Sequence, residues 1–241
     1  MIPIVVILIP AYKAAKTIES VFERIPKDFY KGVYRIIVVN DGSSDNTAEI
    51  INKLSKKYKK ILVLVHQKNR GYGATQKTGF NKAVELGADI IVLLHSDGQY
   101  APELLPKMVK PIEEKKADVV MGSRFLGGEA LKGGMPLYKY IGNRILTIIE
   151  NIAYGMNISE FHTGYMVYSR KALERIKFNR LSDTFHFDGE MVMMSGKKGL
   201  RIVEIGIPTR YAEEKSHLKP IKYGLDVLKI IIKEKIGKYN F

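Results

Sequence analysis

The chain has 241 residues, no cysteine and a formal net charge of +14. That length can bury one sizeable core, while the lack of cysteine excludes a disulfide framework and thiol chemistry and fits a reducing compartment. The positive balance favours polyanions such as nucleic acid, anionic lipid or a phosphorylated small molecule, but no zinc-finger spacing, basic zipper or RNP-type aromatic strand supports a nucleic-acid partner.

Ile2 to Ile9 reads as a first buried strand rather than a secretory signal, because the opening residues lack a basic n-region and a small-residue cleavage site. A loop at Pro10 to Lys13 leads to a helix from about Thr17, which is placed to cap it, with Glu19 and Glu23 in its first turns. Tyr34 to Asn40 is the second strand. It runs into a turn at Asp41 to Ser44 and a helix capped by Ser44 or Asp45, with Ala48, Ile51 and Leu54 on its inner face. Ile61 to His66 is the third strand, followed by a glycine-rich entry to a helix that ends at Gly87, where a left-handed residue is expected.

The run Ile90 to Leu94 is unbroken and apolar, as in a central strand buried on both faces. Its exit delivers His95, Ser96, Asp97, Gly98 and Gln99 within five residues, at the edge where ligands collect in open α/β sheets. A helix from Pro102 to Glu114 and a short strand from Asp118 to Met121 follow. Alternating strands and helices of this kind predict a mostly parallel sheet with helices on both faces.

Beyond Arg124 the pattern changes. FLGGEALKGGMP has the length and glycine content of a mobile lid. Tyr138 to Tyr154 reads as a helix, unusually apolar and interrupted by Glu150. A β-like stretch from Gly164 to Ser169, a short helix from Lys171, a helix beginning in FHFDGE and ending near Gly199, and a strand from Leu200 to Pro208 follow in turn. In the tail, Leu225, Leu228, Ile231, Ile232 and Ile236 share one helical stripe beside lysines. No apolar run reaches the roughly 18 residues a membrane span needs.

PAYKA, VVNDGSSDNT, NRGYGATQKTGF, LLHSDGQY, MGSRF, FHTGYMVYSR, FDGE and GLRIVEIGIP occur in the order in which they occur in a known family. Together they resemble the family 2 glycosyltransferases of the GT-A fold, and within them the polyprenyl-phosphate sugar transferases, the group of dolichyl-phosphate mannose synthase. The resemblance implies a Rossmann-like catalytic domain over residues 1–212, with a basic loop and a C-terminal amphipathic helix over 213–241. It implies a metal-dependent inverting transfer from a UDP- or GDP-sugar to a polyprenyl phosphate. The alternatives are transfer to a hydroxyl of a glycan or small molecule, or nucleotide-sugar binding without catalysis.

The resemblance also assigns positions. Pro10, Ala11, Tyr12, Asp41, Asn69, Gly71, Ser96 and Gln99 match the nucleotide-sugar pocket, with Asp41 accepting a ring N–H of the base. The competing reading of Asp41 is an Asx turn to Ser43. The glycines near Asn69 let backbone approach a ligand, and the helix start there favours phosphate. His95 and Asp97 fall where the family has Asp-x-Asp, the acids that hold Mg²⁺ or Mn²⁺ against the diphosphate. Histidine in the first place is a departure: Asp97 would remain the principal ligand, while His95 either binds Mn²⁺ through nitrogen or hydrogen-bonds the diphosphate, and the metal is Mg²⁺ or Mn²⁺.

Asp188 matches the family's general base. Glu190, about 200° round the helix from it, reads as a supporting or capping residue in the same catalytic segment. Arg124 belongs with the phosphates, and Arg144, Lys215 and His217 are candidates for an acceptor phosphate, which is already anionic near neutral pH and needs cations more than a base. The apolar helix from Tyr138 and the lysine-flanked tail fit a protein lying peripherally on the cytoplasmic face of a membrane. Packing on the core or in a homodimer is the other use for those faces.

Overall fold

The computed structural model describes residues 2–208 and 220–241. Strand β1 is Val5–Ala11, followed by helix α1, Ile18–Glu23, and helix α2, Lys27–Gly32. Strand β2 is Val33–Asn40, helix α3 Thr47–Lys57, strand β3 Ile61–Val65, helix α4 Tyr72–Glu85 and strand β4 Ile90–Leu93. A 3₁₀ turn at Pro102–Leu104 opens helix α5, Leu105–Glu113, and strand β5 is Val119–Ser123. Helices α6, Glu129–Lys132, and α7, Leu137–Tyr154, precede strand β6, Met166–Ser169. Helix α8 is Arg170–Ile176, α9 Phe187–Lys197, strand β7 Ile202–Gly206 and helix α10 Pro220–Lys235.

These strands form one seven-stranded sheet in the order β3-β2-β1-β4-β6-β5-β7. Only β6 runs antiparallel, against both β4 and β5. Alternate residues of each strand face opposite layers, as the two-residue strand period requires. Ile7, Ile9, Ile36, Val38 and Val92 pack under α1, α3 and α5, while Val6, Leu8, Ile37, Val39 and Ile91 pack under α4, α8 and α9. Every residue from Ile90 to Leu94 is buried, as the apolar run predicts.

Several local expectations are corrected. Thr17 precedes α1 but makes no side-chain cap, because its hydroxyl bonds back to the Ala14 carbonyl at 3.4 Å. Thr47 rather than Ala48 joins Ile51 and Leu54 on the buried face of α3, and Asp45 accepts from the Thr47 amide at 3.2 Å. The glycine-rich stretch after Arg124 carries regular structure: it winds into a 3₁₀ turn and α6, with Ala130 and Met135 buried. Gly87 closes α4 at φ +78°, as expected.

At the edge away from the β4 exit, Asp118 clamps three elements. Its carboxylate accepts the Arg201 amide at 2.9 Å and Nε at 3.1 Å, and Lys171 Nζ lies at 3.2 Å. Hydrogen bonds from the Arg201 side chain, more than burial opposes them, hold this carboxyl well below the usual carboxylate range. A depressed folded-state pKa stabilises the fold above the unfolded value near ~4, and that stabilisation is lost as pH falls toward the folded value. Asp118→Asn should therefore lower stability by about 1–2 kcal/mol at pH 7, with the gap to the parent closing below about pH 4 in urea titrations. A gap unchanged between pH 7 and pH 2.5 would refute the linkage.

The C-terminal helix is apolar on two sides. Val227 is buried and Ile230 packs on the core beside Tyr154, whereas Leu225, Leu228, Ile232 and Ile236 of the expected stripe are exposed. Helix α10 packs on α7, which exposes Leu137, Tyr138, Ile141, Ile145, Ile148 and Ile152. Both rows follow three- and four-residue spacing, so each is one face of its helix. Among the described residues, no helix is long and apolar enough to cross a membrane.

Candidate active site

The chain crosses from β3 to β4 over the sheet, so β1 is flanked by β2 on one side and β4 on the other. Such a reversal of strand order opens a crevice at the carboxyl ends of β1 and β4, where ligands bind in open α/β sheets. In register, Ala11 lies beside Asn40, Asn40 beside Val65, and Leu8 beside Leu93. Pro10 and Ala11 are therefore buried strand residues, and Tyr12 is the first exposed group beyond them, at 47%. The loop behind it is tied to the next one: Lys13 N donates to Ser43 Oγ at 3.1 Å and Ala14 N to Thr47 Oγ1 at 2.8 Å.

Asp41, at the exit of β2, is buried. Its Oδ1 meets His66 Nδ1 at 2.6 Å and accepts the Arg70 amide at 2.9 Å, while Oδ2 accepts the Gly71 amide at 3.0 Å. The Asx turn to Ser43 belongs instead to Asn40, whose Oδ1 accepts that amide at 3.1 Å. A carboxylate has about four acceptor sites, so Asp41 organises the glycine-rich loop and keeps one site for a further donor. Asn69 stands exposed at the start of that loop.

The glycines of the loop serve protein packing. A Cβ on Gly71 would lie 2.5 Å from the Asp183 carbonyl oxygen, and one on Gly73 2.5 Å from that of Ser182. Gly73 N donates to the Asp183 carbonyl at 2.9 Å, which occupies an amide at the start of α4. The backbone approach expected toward a ligand is thus made to residues 182–183.

At the β4 exit, Asp97 Oδ1 accepts the Gln99 amide at 2.9 Å, and Gly98 takes φ +75° to complete the turn. Ser96 is buried and Gln99 half-buried. Arg24 braces the loop through the Gly98 carbonyl at 3.3 Å and Glu103 at 2.8 and 3.0 Å. His95 Nε2 lies 2.7 Å from the Tyr72 hydroxyl, which donates to Asp188 Oδ2 at 2.6 Å; Asp188 Oδ1 accepts Gln76 Nε2 at 2.8 Å. Burial raises the Asp188 carboxyl above its ordinary value, against the opposing effects of His95, Tyr72 and Gln76. Burial, with Asp188 nearby, also raises the Tyr72 phenol.

The imidazole is wedged. A Cβ at Gly164 would lie 2.4 Å from His95 Cε1, and the Tyr100 ring stands edge-on at 4.9 Å between centroids. Gly164 N donates to the Tyr100 hydroxyl at 2.7 Å, and burial pushes that phenol up to about 12. Because β6 is antiparallel, its start lies at the edge where the parallel strands end. The HTGY segment therefore reaches the crevice.

The remaining candidates separate. Arg124 donates from its amide and Nε to Glu160, each at 2.8 Å, and from Nη2 to the His162 carbonyl at 2.7 Å. Glu160 is fully buried, so Arg124 is first a bracing residue. Arg144 is exposed on α7, its guanidinium 5.7 Å from the Phe125 ring centroid. Glu190 lies away from the Asp188 network: it accepts the Ser182 amide at 2.8 Å and the Tyr239 hydroxyl, and so ties the chain end to α9. Lys215 and His217 lie outside the described residues.

Tyr72 and Gln76 were not among the expected site residues. Their spacing of four in the first turns of a helix places them on one face, the signal that could have found them. His66 and Glu160 carry no comparable pattern, because their partners are remote in sequence, and Gly164 lies in FHTGYMVYSR, a motif that assigned it no role.

Glucosyl-3-phosphoglycerate synthase from Mycobacterium tuberculosis, crystallised with Mn²⁺, uridine-diphosphate and phosphoglyceric acid, shares the fold at a TM-score of 0.71, with 16% identity over 98% of this chain and 79% of its own. The fold is the GT-A arrangement and the protein is a glycosyltransferase. It belongs to glycosyl transferase family 2, which its residues 6–177 match. The UDP-N-acetylglucosamine--dolichyl-phosphate N-acetylglucosaminyltransferase of Methanococcus voltae is 32% identical over 222 residues, covering 87% of each chain. The dolichol-phosphate mannosyltransferase of Pyrococcus furiosus is 26% identical over 83% of this chain and 54% of its own.

Proposed function

We propose that this protein moves a sugar, with inversion and with the help of a divalent cation, from a UDP- or GDP-sugar to a polyprenyl phosphate. The observation that carries the donor half is the β4 exit. His95 Nδ1 and the second oxygen of Asp97 have no partner among the described residues, which is the donor chemistry a cation beside a diphosphate needs. One imidazole and one carboxylate fit Mn²⁺ better than Mg²⁺. Bound there, the cation would neutralise charge on the departing nucleoside diphosphate.

The rest falls to protein groups. Tyr12 and the last acceptor site of Asp41 meet the nucleoside, with Pro10, Ala11 and Asn69 lining its pocket, Gly71 shaping the adjacent loop, and Ser96 and Gln99 flanking the diphosphate and sugar. An oxygen of the acceptor phosphate attacks the anomeric carbon as the bond from that carbon to the diphosphate breaks, so no proton has to be removed. The state of Asp188 supports this: it is buried, with Tyr72 and Gln76 donating to its two oxygens, which leaves little of the carboxylate open to an alcohol. The Methanococcus relative, named for a dolichyl-phosphate substrate, supports the same acceptor. The exposed rows of α7 and α10, with Lys139, Lys222, Lys229 and Lys233 on the same helices, would rest on an anionic cytoplasmic membrane face and bring the crevice to the lipid. Arg144 lies exposed on α7.

The test combines a radiolabelled UDP- or GDP-sugar with anionic vesicles containing polyprenyl phosphate. Label should enter the lipid, and the double variant Ile148→Glu with Ile232→Glu should float with vesicles at least about tenfold less while keeping its melting temperature, since each buried apolar side chain is worth about 1.5–3 kcal/mol. Label transferred only to soluble hydroxyl acceptors would overturn the acceptor half.

A further inference from the structure

We infer that Asp188 and Tyr72 act on His95 as positioning residues, fixing its proton on Nε2 so that Nδ1 meets the cation as a bare lone pair. The direction of the hydrogen bonds leads there. A phenol has one proton, and Tyr72 gives it to Asp188 Oδ2 at 2.6 Å. The 2.7 Å contact with His95 Nε2 can then exist only if Nε2 donates. A neutral imidazole with hydrogen on Nε2 has its lone pair on Nδ1.

Gln76 sets the polarity of the chain, since its amide donates to the other oxygen of Asp188 at 2.8 Å. Two donors converge on a buried carboxylate that has only acceptors to offer. Gly164 and the Tyr100 ring hold the imidazole plane, so the tautomer and the orientation are fixed together. A hydrogen bond of this kind to a ligating histidine commonly changes metal affinity by about 10–100-fold. The inference rests on the function proposed above for the cation but not for the tautomer.

Asp188→Asn is the decisive variant because it is isosteric and can reverse the chain. With Gln76 still donating to the amide oxygen, the Asn nitrogen donates to the Tyr72 oxygen, Tyr72 donates to Nε2, and the proton of His95 is driven to Nδ1. Two-bond ¹⁵N–¹H correlations of metal-free protein read directly which ring nitrogen carries hydrogen. The cross-peaks lost in His95→Gln identify the ring. Nε2–H in the parent and Nδ1–H in Asp188→Asn are expected. Mn²⁺ affinity in the presence of UDP or GDP, followed by electron paramagnetic resonance, should fall about 10–100-fold in Asp188→Asn and about tenfold in Tyr72→Phe, with melting temperatures held.

Nδ1–H in the parent, or unchanged Mn²⁺ affinity in both variants, overturns the inference. If the parent binds no Mn²⁺ with either nucleotide, the proposed function fails. The metal-free spectra then decide the tautomer alone: a parent carrying Nε2–H that switches in Asp188→Asn upholds it, and any other pattern overturns it.

Discussion

Asp97→Ala should abolish turnover and cation-dependent nucleotide binding together, with kcat/KM falling at least about 10³-fold, or about 4 kcal/mol of transition-state stabilisation. Among the described residues Asp97 is the carboxylate in the His95–Gln99 turn, and its oxygen that does not accept the Gln99 amide is open to a cation. The alanine also removes that turn, so Asp97→Asn is the companion variant: its amide oxygen can keep the Gln99 contact while the charge disappears. Calorimetric titration of UDP and GDP, with and without Mn²⁺, gives the readout. Parent-like binding and turnover in Asp97→Asn would remove the β4 exit from the donor site.

Glu160→Ala should be strongly destabilising, by about 3 kcal/mol or more, because it strips a largely buried guanidinium of the carboxylate that its amide and side chain both use. For a domain of this size that corresponds to a fall of roughly 6–15 °C in Tm, measurable by calorimetry. The prediction bears on how Arg124 is tested. Arg124→Ala leaves Glu160 buried without its guanidinium partner, so lost activity in that variant is not proof of contact with a substrate phosphate. Arg124→Lys keeps the charge but not the fork. A Glu160→Ala protein melting within about 1 °C of the parent would show that the pair does not brace the fold.

Most of the parallel sheet was legible because its strands are short apolar runs bounded by turn residues, and β4 is the clearest of them. The antiparallel direction of β6 was not, since the period of a strand is the same either way. That direction brings Gly164 against His95, so the purpose of HTGY stayed hidden with it. Helix α2 also escaped notice: six residues with no buried side chain leave no periodic signal. At the site, Asp97, His95, Asp41 and Asp188 were visible as polar residues just past strands or at a helix start. Their partners were not, because Tyr72 and Asp188 are 116 residues apart and Asp41 and His66 are 25 apart. The use of the α10 stripe stayed open for a related reason: an apolar stripe reveals a preferred side but not which neighbour occupies it.

The wedge of His95 against Gly164 has an evolutionary corollary. An aspartate at position 95 would restore the commoner acidic pair, yet it would leave the volume of an imidazole ring empty between Tyr72, Tyr100 and Gly164. Any side chain at position 164 would in turn strike the ring that is there now. Neither position can drift alone, so lineages that exchange the histidine for an acid should be expected to refill position 164 in the same step.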